Sequence, residues 1–290
     1  MSDNVIINNN LIHEVCPLCH SRLISSIGKS PRLKECTFSS SRINLKYLSE
    51  LWRCRECKSG FIQYAVTKED AECLYEKSNS SARWASSKRF EDQKTEDIAS
   101  IMKDIFSSAQ SVLDIGCNTG ELLDYAKSFD CSTYGLEVSK PSALICSGKG
   151  HNIISGLDTC DHRYDVITAF DVIEHLHEVN EFLEKCSKAL TPSGKLVLLT
   201  GNFNSLPARL ARNKWWYIAH PEHIIFPSLH FFSALEHWTM MNYLYCFNGK
   251  SWIFPRFRLS LSSALRIFTN RYTGYPSLWP DHMLIILQPK

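Results

Sequence analysis

Ser111-Val-Leu-Asp-Ile-Gly-Cys-Asn-Thr-Gly120 is the stretch that decides the fold. It is a short apolar strand running into a glycine turn, and the turn opens on Glu121-Leu-Leu-Asp-Tyr-Ala-Lys-Ser-Phe129, which has the apolar spacing of a helix. Downstream, strand-like and helix-like segments alternate in STYGLEV, KPSALICSGKG, YDVITAF, VNEFLEKCSKAL and GKLVLLTG. Such alternation predicts parallel β-α-β units with right-handed crossovers, hence an α/β fold with a mostly parallel sheet and helices on both faces. Thr191-Pro-Ser-Gly194 predicts a turn before the strand Lys195 to Thr200. A helical stretch is expected near Ser233 to Tyr243, and a late strand at Met283 to Leu287. Upstream, IASIMKDIF has the pattern of an amphipathic helix leading into the domain.

Glycines in the turn let the backbone approach a ligand closely. Their spacing is G-x-x-x-G, with Asp114 two positions before Gly116, and does not match the G-x-G-x-x-G cradle for pyrophosphate. No phosphate is therefore expected there, whereas a carboxylate at Asp114 suits an ammonium group, held directly or through water. Glu137 ends the second strand, where a carboxylate accepts hydrogen bonds from both hydroxyls of a ribose.

VLDIGCNTG, GLEVS and YDVITAFDVIEHLHE, in that order, resemble the class I S-adenosylmethionine-dependent methyltransferases, over about Ser111 to Gly201. The resemblance implies a Rossmann-like, seven-stranded sheet with S-adenosylmethionine as cofactor. It implies a cofactor site of Asp114, Gly116, Asn118, Gly120 and Glu137, with Gly156 and Leu157 beside the adenine and Phe170 and Asp171 near the methionine moiety. The competing account of the same residues is a doubly wound fold that binds NAD or no ligand.

Cys16-Pro-Leu-Cys19 and Cys54-Arg-Glu-Cys57 form two C-x-x-C knuckles, with a candidate strand between them at Arg42 to Leu51. Two knuckles deliver the four thiolates that a tetrahedral zinc needs, at about 2.3 Å each, and leave no open position for water. The expected role is a structural or substrate-docking zinc ribbon; a redox pair does not require the second copy. Cys117, in the glycine turn, is expected to be a small wall residue. The expected layout is a ribbon module over residues 1–66, a linker and lead-in helix over 67–100, and the α/β domain over 101–290. Within that domain an aromatic lid is expected over about 201–282.

Methyl transfer to a hydroxyl requires alignment of the acceptor and removal of its proton. His175 follows the fourth strand, on the carboxyl edge where open α/β sheets bind ligands, and His220 lies in the His220-Pro-Glu-His223 insertion. Both are candidate bases; hydrogen-bonded structural roles are the alternative. DVIEHL is similar to the acidic and histidine cluster of the ubiquinone-biosynthesis O-methyltransferases, which implies a base or a divalent-metal site, but the first acid here is Asp171 rather than Glu.

Net charge is +2 over 290 residues, far from the strongly basic balance of a nucleic-acid binder. The charge is uneven, with 9 basic and 3 acidic residues after position 200, and that segment holds 18 of the 33 aromatic residues. Aromatics with Arg256, Arg258, Arg266 and Arg271 suit a small anionic acceptor, and the whole-chain pattern looks like bacterial tailoring enzymes for sugars and similar metabolites. Zinc-ribbon methyltransferases of ribosomal or transfer RNA are the alternative. The polar start MSDNVIINNN is unlike a secretory signal, and no run of about 18 apolar residues occurs, so a cytoplasmic chain with reduced thiols and no transmembrane segment is expected.

Overall fold

The computed structural model describes residues 5–30, 34–77, 88–159, 162–247 and 279–290. Arg256, Arg258, Arg266 and Arg271, and the Ser-rich stretch after Lys77, lie outside the described residues.

Six short strands come first: β1 (Val5–Ile7), β2 (Ile24–Lys29), β3 (Glu35–Phe38), β4 (Ser41–Leu45), β5 (Glu50–Cys54) and β6 (Gly60–Gln63). The strand expected over Arg42 to Leu51 is in fact two strands in two different sheets. The break is at Tyr47, whose N–H donates to Asn9 Oδ1 at 2.9 Å while Asn9 Nδ2 donates to the Tyr47 carbonyl at 2.9 Å. Among the described residues, helices α1 (Lys68–Lys77), α2 (Phe90–Gln93) and α3 (Glu96–Phe106) follow. The expected amphipathic helix is α3. Thr95 caps it by accepting from the Ile98 N–H, and Ile98, Met102, Ile105 and Phe106 make its buried stripe.

The α/β part continues with β7 (Ser111–Ile115), α4 (Glu121–Lys127), β8 (Ser132–Leu136), α5 (Lys140–Gly148), β9 (Asn152–Ile153), β10 (Tyr164–Phe170), α6 (Val179–Ala189) and β11 (Leu190–Gly201). After these come α7 (Leu206–Ala211), β12 (Ile225–Phe226), α8 (Leu229–Ser233), β13 (Trp238–Cys246) and β14 (His282–Pro289). The large sheet has seven strands in the order β13-β14-β11-β10-β7-β8-β9, as expected. Strand β14 runs antiparallel to both of its neighbours, and the pairs from β11 through β9 are parallel. Side chains alternate between two cores. Leu113, Ile167, Leu198 and Ile285 pack on one face with α6, while Val112, Val166, Val197 and Ile286 pack on the other with α3 and α4.

The expected turn at Thr191 to Gly194 lies inside β11 as an irregularity: the ladder jumps from Tyr164↔Leu190 to Val166↔Lys195. The helix expected near Ser233 to Tyr243 is not formed. Helix α8 ends at Ser233, and Trp238 to Cys246 pair along β14 from Pro289 back to His282. An edge strand that is only partly covered carries a weak period-two signal, and the ladder to a buried neighbour overrides the local pattern.

The insertion after β11 does not stand apart from the N-terminal strands. β12 adds to them in the four-stranded order β12-β6-β5-β2, with Ile225 opposite Phe61 and Phe226 opposite Gly60. Leu18, Leu51 and Ile62 from the N-terminal part share one core with Phe203, Trp215 and Phe226 of the insertion and with Leu198 and Ile285 of the large sheet. Burying that apolar surface from three parts of the chain stabilises their mutual arrangement.

Gly60 sits at this junction, where a Cβ atom would stand 2.6 Å from the Phe203 ring. Gly60→Ala is expected to destabilise the protein by about 1–3 kcal/mol through overpacking. Urea unfolding should show a smaller penalty in a Phe203→Leu background; equal penalties in both backgrounds would mean that the ring does not limit the site.

Candidate active site

From β7 the chain steps outward to β8 and β9, then returns to the other side of β7 to form β10. The carboxyl ends of β7 and β10 therefore flank the point where strand order reverses, which is where open α/β sheets hold ligands. A cleft of about 770 Å³ opens there. That lies within the range of small-molecule sites, roughly 300–1,000 Å³.

Alternate residues of the glycine turn are left-handed: Gly116 at φ 74°, Asn118 at φ 46° and Gly120 at φ 87°. Glycine and asparagine are the residues that adopt this conformation at least cost. At Gly116 a side chain would also collide with Val172, 2.7 Å from the Cβ position. The turn aims the Asn118 N–H at Glu137 Oε2, 2.9 Å away, and the Ser139 N–H donates to Oε1 at 2.8 Å. Glu137 is thus held by backbone donors, while burial raises its pKa. Asn118 Oδ1 is buried without a hydrogen-bond partner among the described residues.

Asp114 is buried at the end of β7 and accepts from Thr168 Oγ1 at 2.6 Å. Burial pushes its pKa up to about 7; the Thr168 hydrogen bond opposes this, and the charges of Glu137 and Glu121 add to it. A cation placed there would recover the ionised form. The cleft thus offers a carboxylate for a diol at Glu137 and a carboxylate for a cation at Asp114.

Asp114, Gly116, Asn118, Glu137, Phe170 and Asp171 all line the cleft. Gly120, Gly156 and Leu157 are not among its lining residues. Gly120 precedes α4 and makes room for Cys146 and His151, at 2.8 and 3.0 Å from its Cβ position, while Leu157 packs against the main core. Cys117 lines the cleft as a buried wall residue; its hydrogen bond to Cys146 and its burial push the thiol far up, which keeps it protonated.

The far wall comes from three distant segments. Glu174 and His175 lie in the 3-10 turn after β10, and Tyr217, His220, Glu222 and His223 come from the insertion. Ser39 and Tyr75 come from the N-terminal part. Buried Glu174 accepts from Thr200 Oγ1 at 2.9 Å and from the Tyr217 hydroxyl, and burial raises its pKa. His175 Nδ1 lies 3.0 Å from the Glu222 carbonyl and 3.1 Å from the Tyr75 hydroxyl. A carbonyl only accepts, so Nδ1 carries the proton and Nε2 keeps its lone pair. By the same logic His223 Nδ1 donates to the Tyr217 carbonyl at 2.9 Å, leaving a second basic Nε2. The His175 and His223 rings are 4.8 Å apart, and His220 lies 4.9 Å from His223.

Glu174, His175 and His223 also offer ligand atoms within 4.8 Å of one another. Both carboxylate oxygens of Glu174 also accept from hydroxyl donors. Tyr75 was not foreseen, because its helix lies in the stretch expected to be a linker and nothing local marks it. Ser39 is the other residue missed: its N–H donates to Glu222 Oε1 at 2.5 Å across 183 positions of chain.

Residues 84–238 match the family model for the methyltransferase domain, more than half of the chain. The chain belongs to the methyltransferase domain family. Within this family it is similar to the ubiquinone biosynthesis O-methyltransferase of Bradyrhizobium diazoefficiens, 31% identical over 102 residues, which is 32% of this chain and 40% of that protein. The match thus spans less than half the length of that curated relative. Among solved structures the methyltransferase is similar to a SAM dependent methyltransferase from Archaeoglobus fulgidus, at 20% identity and a TM-score of 0.45, covering 67% of this chain and 93% of that one. Among the described residues no helix is long and apolar enough to cross a membrane.

The raised pKa of Asp114 carries a pH signature of the methyltransferase. The unfolded carboxyl ionises near pH 4 and the folded one only near 7, so the folded state binds the extra proton between them. Stability relative to Asp114→Asn should therefore fall as pH rises from about 4 to 7 and stay level above that, by a few kcal/mol in all. Urea unfolding across this range measures it, and a constant gap between the two proteins would place the Asp114 carboxyl in the ordinary range.

Proposed function

We propose that this chain is an S-adenosylmethionine-dependent methyltransferase acting on a small anionic metabolite of the sugar or nucleotide-sugar kind, with a structural zinc in its N-terminal module. The observation that carries this reading is one cleft with paired carboxylates at one end and a histidine and tyrosine wall at the other. When bound, the cofactor supplies an activated methyl group open to direct displacement.

The residues at the first end fit that cofactor. Glu137 would accept from the ribose hydroxyls and Asp114 would hold the ammonium group, with Gly116 leaving space for the ligand backbone to approach. The buried, unpartnered Asn118 Oδ1 is a further acceptor that a ligand N–H or O–H can satisfy. Phe170 and Asp171 would flank the methionine moiety. At the other end His175 and His223, each fixed with a basic Nε2, are the candidates to take the acceptor's proton, and His220 stands beside them. Tyr75 would help to fix His175, since its hydroxyl lies 3.1 Å from His175 Nδ1. Ser39, Lys68, Tyr75, Trp216 and Tyr217 are part of the same lining, and the Lys68 ammonium group suits a small anionic acceptor.

Calorimetry with S-adenosylhomocysteine tests the first half of the proposal. Binding in the micromolar range is expected for the full chain, weakened by about 1.5–3 kcal/mol in Glu137→Ala. His175→Ala and His223→Ala should keep that binding and lose about 10²- to 10⁴-fold in turnover on the acceptor found by screening nucleotide sugars and phenols. Full turnover in both variants would remove them as bases. Activity confined to RNA, falling steeply between about 50 and 200 mM salt, would overturn the small-molecule acceptor.

The zinc rests on the sulfur geometry. Cys16 Sγ and Cys57 Sγ are 3.7 Å apart, Cys19 Sγ and Cys54 Sγ 3.6 Å, and all four lie within 4.8 Å of one another. A tetrahedron with bonds of about 2.3 Å has edges of about 3.8 Å. The knuckles are also built alike: Cys16 N–H donates to Ser21 O and Cys54 N–H to Ser59 O, both at 2.9 Å, and the residues after the second cysteines, His20 and Lys58, are left-handed at φ 58° and 61°. Elemental analysis should find one zinc per chain, lost in Cys54→Ser/Cys57→Ser. Protein without zinc, or metal retained by that double variant, would defeat the assignment.

A further inference from the structure

We propose that Trp216 is the platform on which the methyl acceptor stacks a planar, unsaturated ring. The inference rests on the methyltransferase reading of the cleft given above. Trp215 and Trp216 both donate their indole N–H to one oxygen of Asp281, at 2.9 and 2.8 Å. Their environments then differ. Trp215 is fully buried in the core, whereas Trp216 is half-buried and lines the cleft.

The anchor of this ring is itself fixed. Asp281 is buried, its Oδ1 lies 2.8 Å from His282 Nδ1, and its carbonyl accepts from the Asn202 N–H at 2.8 Å. His282 in turn stands opposite Gly201 and Cys246 in the large sheet. The His282 imidazole stacks on the Trp216 indole, with ring centres 5.9 Å apart and planes inclined by 30°. With its N–H turned to Asp281 and one face to His282, the indole has only flat apolar surface left to offer the cleft.

A sugar laid on an indole also needs hydrogen-bond partners for its hydroxyls, and an unpaired hydroxyl is costly to bury. Here the polar groups bordering Trp216 are engaged: the indole N–H and the Asp281 carboxylate pair with each other, and the Tyr217 hydroxyl donates to Glu174. A planar ring needs no such partners and gains from stacking itself. The location suits transfer as well. The Trp216 ring lies 5.8 Å from that of His220, His220 lies 4.9 Å from His223, and His223 lies 4.8 Å from His175. Trp216 is thus joined by a run of ring contacts to both candidate bases. Within the reading of a small anionic acceptor, this chemistry is found in the nucleobase of a nucleotide sugar and in the ring of a phenolic acid.

The test uses two pairs of ligands, titrated by calorimetry into the full chain saturated with S-adenosylhomocysteine. Uridine 5′-monophosphate is compared with ribose 5-phosphate, and 4-hydroxybenzoate with 4-hydroxycyclohexanecarboxylate; each pair shares its anionic group, and only the first member carries a planar ring. In the unmodified protein the planar member of at least one pair should bind about 10- to 100-fold more tightly. A preference in the first pair identifies a nucleobase, and one in the second a phenolic ring. Trp216→Leu should keep S-adenosylhomocysteine binding and bring the members of that pair to within about twofold of each other, while Trp216→Phe should keep a preference of about threefold or more. Undiminished preference in Trp216→Leu overturns the proposal. So does equal weakening of both members in that variant, which marks the ring as packing alone, and so does loss of S-adenosylhomocysteine, which ties the indole to the cofactor end. If the unmodified protein binds no S-adenosylhomocysteine, the cofactor reading falls and the acceptor site with it; if it binds that ligand and shows no preference in either pair, only the stacking site falls.

Discussion

The backbone of Ile224 holds the site together. Its N–H donates to the carbonyl of Glu174 at 2.8 Å, and its carbonyl accepts from the N–H of Ile62 at 2.9 Å. One residue thus joins the turn after β10, the insertion and the four-cysteine module. Ile225 and Phe226 continue the link as β12, paired to β6. These groups are buried, and a buried backbone donor or acceptor left unpaired costs about as much as a lost hydrogen bond, so the arrangement is strongly specified. The positions of Glu222 and His223, immediately before Ile224, follow from it. So does the approach of His175, immediately after Glu174, to within 3.0 Å of the Glu222 carbonyl.

Residues ahead of β7 therefore build part of the cleft's wall. The Ser39 N–H donates to Glu222, and Tyr75 reaches His175, although both residues precede β7 in the chain. In the proposed reading, four thiolates converging on zinc would fix β5 and β6, because Cys54 ends β5 and Cys57 sits just before β6. Without a cation, four thiols at these separations cannot all ionise, since neighbouring thiolates repel. A closed metal site of this kind supplies rigidity and no open coordination position, which matches a supporting role for a wall that must hold an acceptor still.

The two ends of the cleft differ in their electrostatics. At the sheet end, carboxylates are stacked closely enough that burial and mutual repulsion raise Asp114 to about 7, an unfavourable arrangement until a cation arrives. The other end is hydrogen-bonded, with both imidazoles fixed by carbonyl acceptors. Such a division suits a reaction in which one end binds a charged ligand tightly and the other moves a proton.

How much of this was legible in the sequence follows from the range of the interactions involved. The glycine turn, the acid at the end of β8 and the paired cysteines are local: left-handed backbone, strand-end carboxylates and tight knuckles leave their mark within a few residues. The alternation of apolar segments likewise determined the parallel sheet, because a strand buried on both faces must be apolar throughout. Only the tertiary structure decided that Tyr75, His175 and His223 share a wall, that Ile225 and Phe226 complete the sheet of the cysteine module, and that Trp238 to Cys246 form an edge strand rather than a helix. Each of those outcomes is a pairing between residues far apart in the chain. No short window of sequence carries the energy of a contact whose partner lies about a hundred positions away.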